Sequence, residues 1–225
     1  IKDYKMGAIY SKDKTTFRVF APEKNVKLAI INDYRNPRKN IYSMKQNDLG
    51  IWELTLNGDY DGYYYSYIVD RKYEVTDPYS FTSSINSMYS VVCDMQKTNP
   101  VGFINSSVPQ IPENEAIIYE LSIKNYTADK TSNIKNAGKY LGLTEKSSSY
   151  HGYKTGLANL KELGITHVQI MPFYDFISVD ENNQRFFDDD NYNWGYDPEL
   201  YFTPEGSFAS DPNNPKSRIL EVKKM

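Results

Sequence analysis

Residues 155–172, Thr-Gly-Leu-Ala-Asn-Leu-Lys-Glu-Leu-Gly-Ile-Thr-His-Val-Gln-Ile-Met-Pro, decide how the second half of this chain folds. Leu157, Leu160 and Leu163 recur at helical spacing between Thr155, a candidate N-cap, and Gly164, a candidate stop. Ile165 to Pro172 then predicts a strand. Upstream, Ala116 to Ile123 is an apolar run fit for a buried strand, with Ile117, Tyr119, Leu121 and Ile123 on one side. Strand, helix, strand is a βαβ unit, and it implies a parallel sheet. A long polar and aromatic loop, about residues 173–213, is expected next, and Ser217 to Met225 starts another helix with Ile219 and Val222 on one face.

The first half follows a different grammar. Thr15 to Phe20, Val26 to Ile31, Ile51 to Leu56 and Tyr63 to Val69 read as short strands. In the second of these Val26, Leu28 and Ile30 alternate with Lys27 and Ala29, the period-2 mark of a half-buried strand. Several short strands in under 100 residues, without a convincing helix, read as a β-sandwich. Asn99-Pro100, Pro109 and Pro112 sit among Ser, Asn and Gln, which reads as a linker. The expected organisation is a sandwich over residues 1–95, a linker over 96–115 and a second unit over 116–225.

Composition narrows the function. The 26 basic and 29 acidic residues leave a net charge of −3, so no basic face argues for nucleic acid. No apolar run approaches the roughly 18 residues that span a membrane. The 21 tyrosines suit strands, and they also suit carbohydrate, since each adds contact area with a polar tip. Alternation sends one face of each strand inward, which favours core or domain-interface positions over sugar platforms for Trp52 and the Tyr63 to Tyr67 run. The single Cys93 excludes an intrachain disulfide and reads as a small buried apolar residue. His151 and His167 are the only histidines and have no zinc-ligand spacing; His167 is expected to fill a core layer and His151 to orient a loop. No cofactor is expected, and a structural calcium among Asp188 to Asp190 is the one metal left open. The start at Ile1 looks trimmed and shows no signal peptide, so localisation stays open between cytoplasm and secretion.

The densest chemistry is Tyr192-Asn193-Trp194-Gly195-Tyr196-Asp197-Pro198. Aromatic faces beside short polar groups suit a sugar, with its apolar C–H faces and rim of hydroxyls. This heptad closely resembles the signature of type I pullulanases, starch-debranching members of the α-amylase superfamily of glycoside hydrolases. Tyr119-Glu120-Leu121, Lys139 to Glu145 and Gly164 to Gln169 match that family in order, whereas Ser122 to Thr127 departs from its usual run. Phe17 to Pro22, Gly50 to Glu53 and Asp77 to Tyr79 resemble the immunoglobulin-like carbohydrate-binding module 48 of debranching and branching enzymes.

The resemblance implies an N-terminal immunoglobulin-like β-sandwich followed by the first two βα units of a (β/α)8 barrel. The heptad would lie on the barrel's C-terminal face, where such enzymes keep their active sites. It implies cleavage of α-1,6-glucosidic linkages in pullulan, amylopectin or glycogen, with Tyr196 stacked on the glucose beside the scissile bond. Asn193, Trp194, Tyr192 and Asp197 would shape the rim or hold the loop; for Trp194 and Tyr192, pinning the loop to the barrel is an equal reading. Retaining hydrolysis needs two carboxyl groups roughly 5–5.5 Å apart. The resemblance assigns these to later barrel strands, beyond Met225, so no catalytic residue is expected within the 225 residues, and the chain alone is expected to be inactive. An isoamylase or glycogen branching enzyme fragment is the alternative within the superfamily. A non-catalytic glucan-binding module is the alternative outside it, and the βαβ unit counts against that. Two parallel strands cannot close a barrel, so residues 116–225 are expected to pack against the remaining barrel segment or another copy of the chain.

Overall fold

The alternating strands of the first half form two antiparallel sheets. The computed structural model describes residues 4–22 and 25–225; Ile1, on which the trimmed start is read, lies outside them. The strands are β1 (Gly7–Ser11), β2 (Lys14–Phe20), β3 (Val26–Ile31), β4 (Lys39–Ser43), β5 (Lys45–Gln46), β6 (Ile51–Asn57), β7 (Tyr64–Val69), β8 (Tyr73–Val75) and β9 (Ser90–Val91). One sheet runs β1-β2-β6-β5 and the other β4-β3-β7-β8, with β9 also on β7. In β2 the period-2 pattern is explicit: Thr15, Phe17 and Val19 are buried, while Thr16 and Arg18 are only half-buried. Phe17, Leu28, Ile30, Trp52, Tyr65 and Tyr67 meet between the sheets. Each apolar side chain buried this way stabilises by about 1.5–3 kcal/mol.

Trp52, Tyr65 and Tyr67 are therefore core residues. The Trp52 indole N–H donates to the Ala21 carbonyl at 3.1 Å. The Tyr65 and Tyr67 hydroxyls donate to Asp77 Oδ2 at 2.7 and 3.3 Å. Cys93 departs from expectation: it is only half-buried, at the edge of the sandwich rather than in its core.

In the second half, β10 (Ile118–Leu121) is followed by α1 (Ile123–Ala128), the small hairpin β11 (Ser149–Tyr150) and β12 (Tyr153–Lys154), then α2 (Gly156–Glu162) and β13 (His167–Ile170). Strands β10 and β13 pair in parallel, Ile118 opposite His167 through Leu121 opposite Ile170. Thr155 is the N-cap residue of α2, but its hydroxyl donates to the Ser132 carbonyl instead of capping the helix. Gly164, at φ +72°, supplies the left-handed turn that ends it. His167 is exposed on this two-strand pair, and its Nδ1 pairs with the Thr166 hydroxyl at 2.8 Å.

The stretch expected as a loop, residues 173–213, contains two further strands, β14 (Tyr174–Phe176) and β15 (Pro198–Pro204), paired antiparallel through an irregular register. Their short length, the two prolines and the long insertion between them hide the pairing from periodicity. Helix α3 (Pro215–Lys224) follows, capped by the Asn214 side chain, which accepts from the Lys216 N–H at 3.1 Å, with Pro215 in its first turn. Leu121, Ile123, Tyr140, Leu160, Phe176, Phe186 and Phe208 form the apolar core of this half.

Helix α3 and β15 also fasten this half to the sandwich. Lys216 Nζ reaches Asp61 Oδ2 at 2.7 Å, and Lys223 Nζ donates to Met95 O, Thr98 Oγ1 and Asn99 Oδ1 at 2.7–2.9 Å. Burial alone would raise Asp61, but Lys216 and Lys97 outweigh it and hold the carboxyl down at about 2. Thr203 Oγ1 donates to Ser80 O at 2.8 Å, and the Tyr79 and Phe202 rings stack at 6.4 Å.

Candidate functional site

The heptad lies between the end of β13 and β15, and its polar residues hold it closed on itself. Asn193 Nδ2 donates to Asp197 Oδ1 at 2.6 Å, and the Gly195 N–H donates back to Asn193 Oδ1 at 2.6 Å. Ser178 completes the clamp: its hydroxyl donates to Asp197 Oδ2 at 2.7 Å and accepts from Asn193 Nδ2. Gly195 is required here, because at φ +90° its backbone packs so tightly that a Cβ would lie 2.4 Å from the Pro172 carbonyl oxygen. Asn193 and Asp197 thus spend their polar atoms on the loop itself.

The clamp turns the rings outward. Tyr196 is 64% exposed and Trp194 60%. Tyr192 is tied down: its hydroxyl accepts from Asn125 Nδ2 at 2.7 Å, and its ring lies edge-on to Trp194. Tyr196 borders a cleft of about 500 Å³, lined also by Glu120, Gln169, Pro172, Tyr201 and Phe202. Gln169 Nε2 donates to Glu120 Oε2 at 3.1 Å across the β10–β13 pair. Among the described residues Glu120 is the one carboxyl group lining this cleft. A single acid cannot perform the two-carboxyl displacement. The cleft offers aromatic faces and amide and carboxyl acceptors suited to sugar hydroxyls.

The strongest electrostatics lie behind the loop. Asp175, Glu181 and Glu205 are buried with carboxylate oxygens within 4.8 Å of one another, a donor set that could hold a cation. The cation present is the guanidinium of Arg218, itself fully buried. Its Nη2 donates to Glu181 Oε2 at 2.9 Å, and its Nη1 donates to Ser83 Oγ at 3.0 Å and Pro204 O at 3.2 Å and faces Asp175 Oδ1 at 3.4 Å. Burial pushes Asp175 up to about 7, against the pull of Arg218, and pushes Glu205 up to about 8 with Glu181 and Asp175 adding to it. Asp188 and Asp190 pair with Arg185 at 3.1 and 2.8 Å on the surface of this loop.

The structure thus brings Tyr192, Asn193, Trp194, Tyr196 and Asp197 into one loop beside one cleft. Sequence reasoning missed Ser178, Asn125 and the whole Arg218 cluster. Ser178 and Asn125 lie in polar stretches with no distinguishing pattern. Arg218 carries one sequence signal: it stands four residues before Val222 on the same helix and so shares that residue's face.

Comparison with known proteins agrees with this geometry. Residues 5–80 match the family model of carbohydrate-binding module 48, the isoamylase N-terminal domain. The pullulanase of Bacillus subtilis (strain 168) is 35% identical over 230 residues, which cover 99% of this chain and 30% of that protein. A pullulanase mutant from Paenibacillus barengoltzii, solved in complex with maltotriose, superposes with a TM-score of 0.91 at 37% identity, over 98% of this chain and 35% of that one. The pullulanase from Bacillus acidopullulyticus gives a TM-score of 0.90 at 37% identity, over 99% of this chain and 28% of that one. The chain therefore spans about a third or less of the length of the relatives it matches.

Proposed function

We propose, from the premise that the chain is the N-terminal portion of a type I pullulanase, that it supplies the substrate-facing half of a site that debranches α-glucans at α-1,6 linkages. In this reading residues 1–95 are the sandwich, 96–115 the linker and 116–225 the first two βα units of a (β/α)8 barrel. The parallel β10–β13 pair and the helix between them support that assignment. The observation that carries the function is the clamp: Asn193, Ser178 and Asp197 spend their hydrogen bonds on one another and leave the Tyr196 ring free beside the cleft. A loop held this way presents the ring to the apolar face of a glucose without having to order its backbone on binding. Tyr192 and Asn193 hold the loop, Trp194 adds a second exposed ring, and Asp197 fixes the turn.

Glu120 alone cannot carry out retaining hydrolysis, and in this reading both catalytic carboxyl groups belong to the remaining barrel segment. That segment also covers Ile118 and Val168, apolar residues exposed on the β10–β13 pair. The partners are thus an α-glucan and that segment. The glucan is supported by a relative, since the Paenibacillus barengoltzii pullulanase mutant was solved with maltotriose.

Titration of the chain with maltotriose by calorimetry tests the reading. Tyr196→Ala is expected to weaken binding about tenfold, the order of one lost stacking contact, and to leave the melting temperature unchanged. Equal affinity in the variant would sink the assignment of Tyr196. The pure chain is also expected to release no reducing sugar from pullulan, and turnover would overturn the placement of the catalytic acids.

A further inference from the structure

We propose that Arg218 is a positioning residue that fastens the loop bearing Tyr196 to the sandwich, so that the sandwich turn at Ser83–Ser87 governs how that loop is held. The link to sugar presentation rests on the reading of Tyr196 above; the mechanical coupling does not.

The connection can be followed bond by bond. From the sandwich side, the Asn86 N–H donates to Glu181 Oε2 at 2.7 Å, and the Glu181 N–H donates back to Asn86 Oδ1 at 2.8 Å. The Ser87 hydroxyl donates to Asp175 Oδ2, and Ser83 Oγ accepts from Arg218. Arg218 gathers these groups from α3. From the loop side, the Gly206 N–H donates to Glu181 Oε1 at 2.9 Å, and the Phe176 and Ser207 N–H groups donate to Glu205 at 3.2 and 2.8 Å. Next to Glu181, Asp180 and Asn191 exchange two hydrogen bonds, at 2.8 and 2.9 Å. Asn191 immediately precedes the heptad. A continuous polar path thus runs from the sandwich turn, through the buried cluster, to the residue before Tyr192.

The space is as closed as the bonding. A Cβ at Gly206 would lie 2.2 Å from both Arg218 Nη2 and Glu181 Oε1, so no side chain fits there without displacing the ion pair. Asn86 sits at φ +55° and Ser87 at φ +48°, left-handed conformations that the surrounding bonds over-determine. Such a turn is kept because it aims Asn86 and Ser87 into the cluster.

Charge makes the coupling pH-dependent. Three carboxyl groups face one guanidinium, and full ionisation would leave a net −2 in a buried space. The other titratable groups nearby are Glu221 on α3, Lys139 and Tyr140, Asp180 in the loop, and Glu199 on β15, which burial pushes up. Among the described residues the sandwich offers neutral Ser83, Asn86 and Ser87. Lys139 is pushed down to about 8 by burial, so it loses charge in the same range in which Glu205 gains it. Raised folded-state carboxyl pKa values mean that the cluster's full stability is present below the ordinary carboxylate range and is lost as pH rises through about 7 to about 8.

Amide hydrogen exchange of the full 225-residue chain, with no sugar present, tests the coupling. Asn86→Gly keeps the left-handed backbone and removes only the amide side chain. It is expected to speed exchange across residues 191–197 about tenfold while β2 and β6 stay unchanged. Arg218→Met should do the same more strongly, and Arg218→Lys should restore part of the protection. In the unmodified chain, protection of residues 191–197, corrected for intrinsic rates, should fall as pH rises from the ordinary carboxylate range and level off above about pH 8, and Glu205→Gln should make that dependence shallower. Unchanged exchange at 191–197 in a folded Asn86→Gly protein, or a pH response as steep in Glu205→Gln as in the unmodified chain, overturns the proposal. Because no ligand is used, failure of the sugar reading leaves this result standing, and the reverse also holds.

Discussion

Asp77 in the sandwich and Asp175 in the loop-bearing half are both buried carboxyl groups, yet their surroundings settle them differently. Among the described residues no cation pairs with Asp77; two tyrosine hydroxyls and the Tyr79 N–H donate to it, and burial still pushes it up to about 6. It sits beside the apolar core and accepts from the hydroxyls of two core tyrosines. Asp175 shares one guanidinium with Glu181 and Glu205, and that cluster stands where α3, the β14–β15 pair and the sandwich meet. The sandwich is thus held by area removed from water. The half that carries the heptad depends, at its seam, on a buried ion pair and hydrogen bonds. Apolar packing is tolerant of small shifts, whereas a buried charge loses several kcal/mol when its partner goes.

The sharpest way to break the contrast is Gly206→Ala. By wedging a methyl group between Arg218 and Glu181 it is expected to cost about 3–5 kcal/mol in chemical denaturation, with the loss concentrated in the loop-bearing half. Leu28→Ala in the sandwich should cost about 2–5 kcal/mol through the cavity it leaves. The two should differ in pH response: the Leu28→Ala loss is expected to be the same at pH 6 and pH 9, and the Gly206→Ala loss to shrink at pH 9, where the cluster already carries excess charge. A milder probe is pH alone. Denaturation midpoints should fall from pH 6 to pH 9, with a slope of at most about 1.4 kcal/mol per pH unit for each proton released. At the acid end, Asp61 adds stability above the ordinary carboxylate range, and it is lost as pH falls towards about 2. The smallest global effect belongs to Gly195→Ala: its strain of about 1–3 kcal/mol should stay within the heptad, lowering maltotriose affinity while leaving the denaturation midpoint of the sandwich unchanged.

The sandwich was legible because its signal is local. Val26 to Ile31 is the strand β3 with the same bounds, and Thr15, Phe17 and Val19 face inward as alternation requires. The strand–helix–strand order of residues 116–172 was legible for the same reason, since leucine spacing and a terminal glycine act within one turn. The β14–β15 pair was not. Its strands stand 21 residues apart, separated by a loop with no period, and only their mutual hydrogen bonds make them strands. The heptad was visible as a cluster of residue types, but its division of labour was not: which rings face the cleft depends on Ser178, which no spacing marks.

By itself the sequence determined the two grammars, the parallel pairing they imply and the seven residues where sugar chemistry concentrates. These follow from periodicity and side-chain type, which act over a few residues. Only the tertiary structure decided that Tyr192 and Asn193 hold the loop while Tyr196 faces the cleft, and that Arg218 binds Asp175 and Glu181 at the seam. Those outcomes depend on desolvation and on partners 37 to 43 residues away, or 135 for Ser83 in the sandwich turn, and chain order alone does not encode which of many such partners will meet.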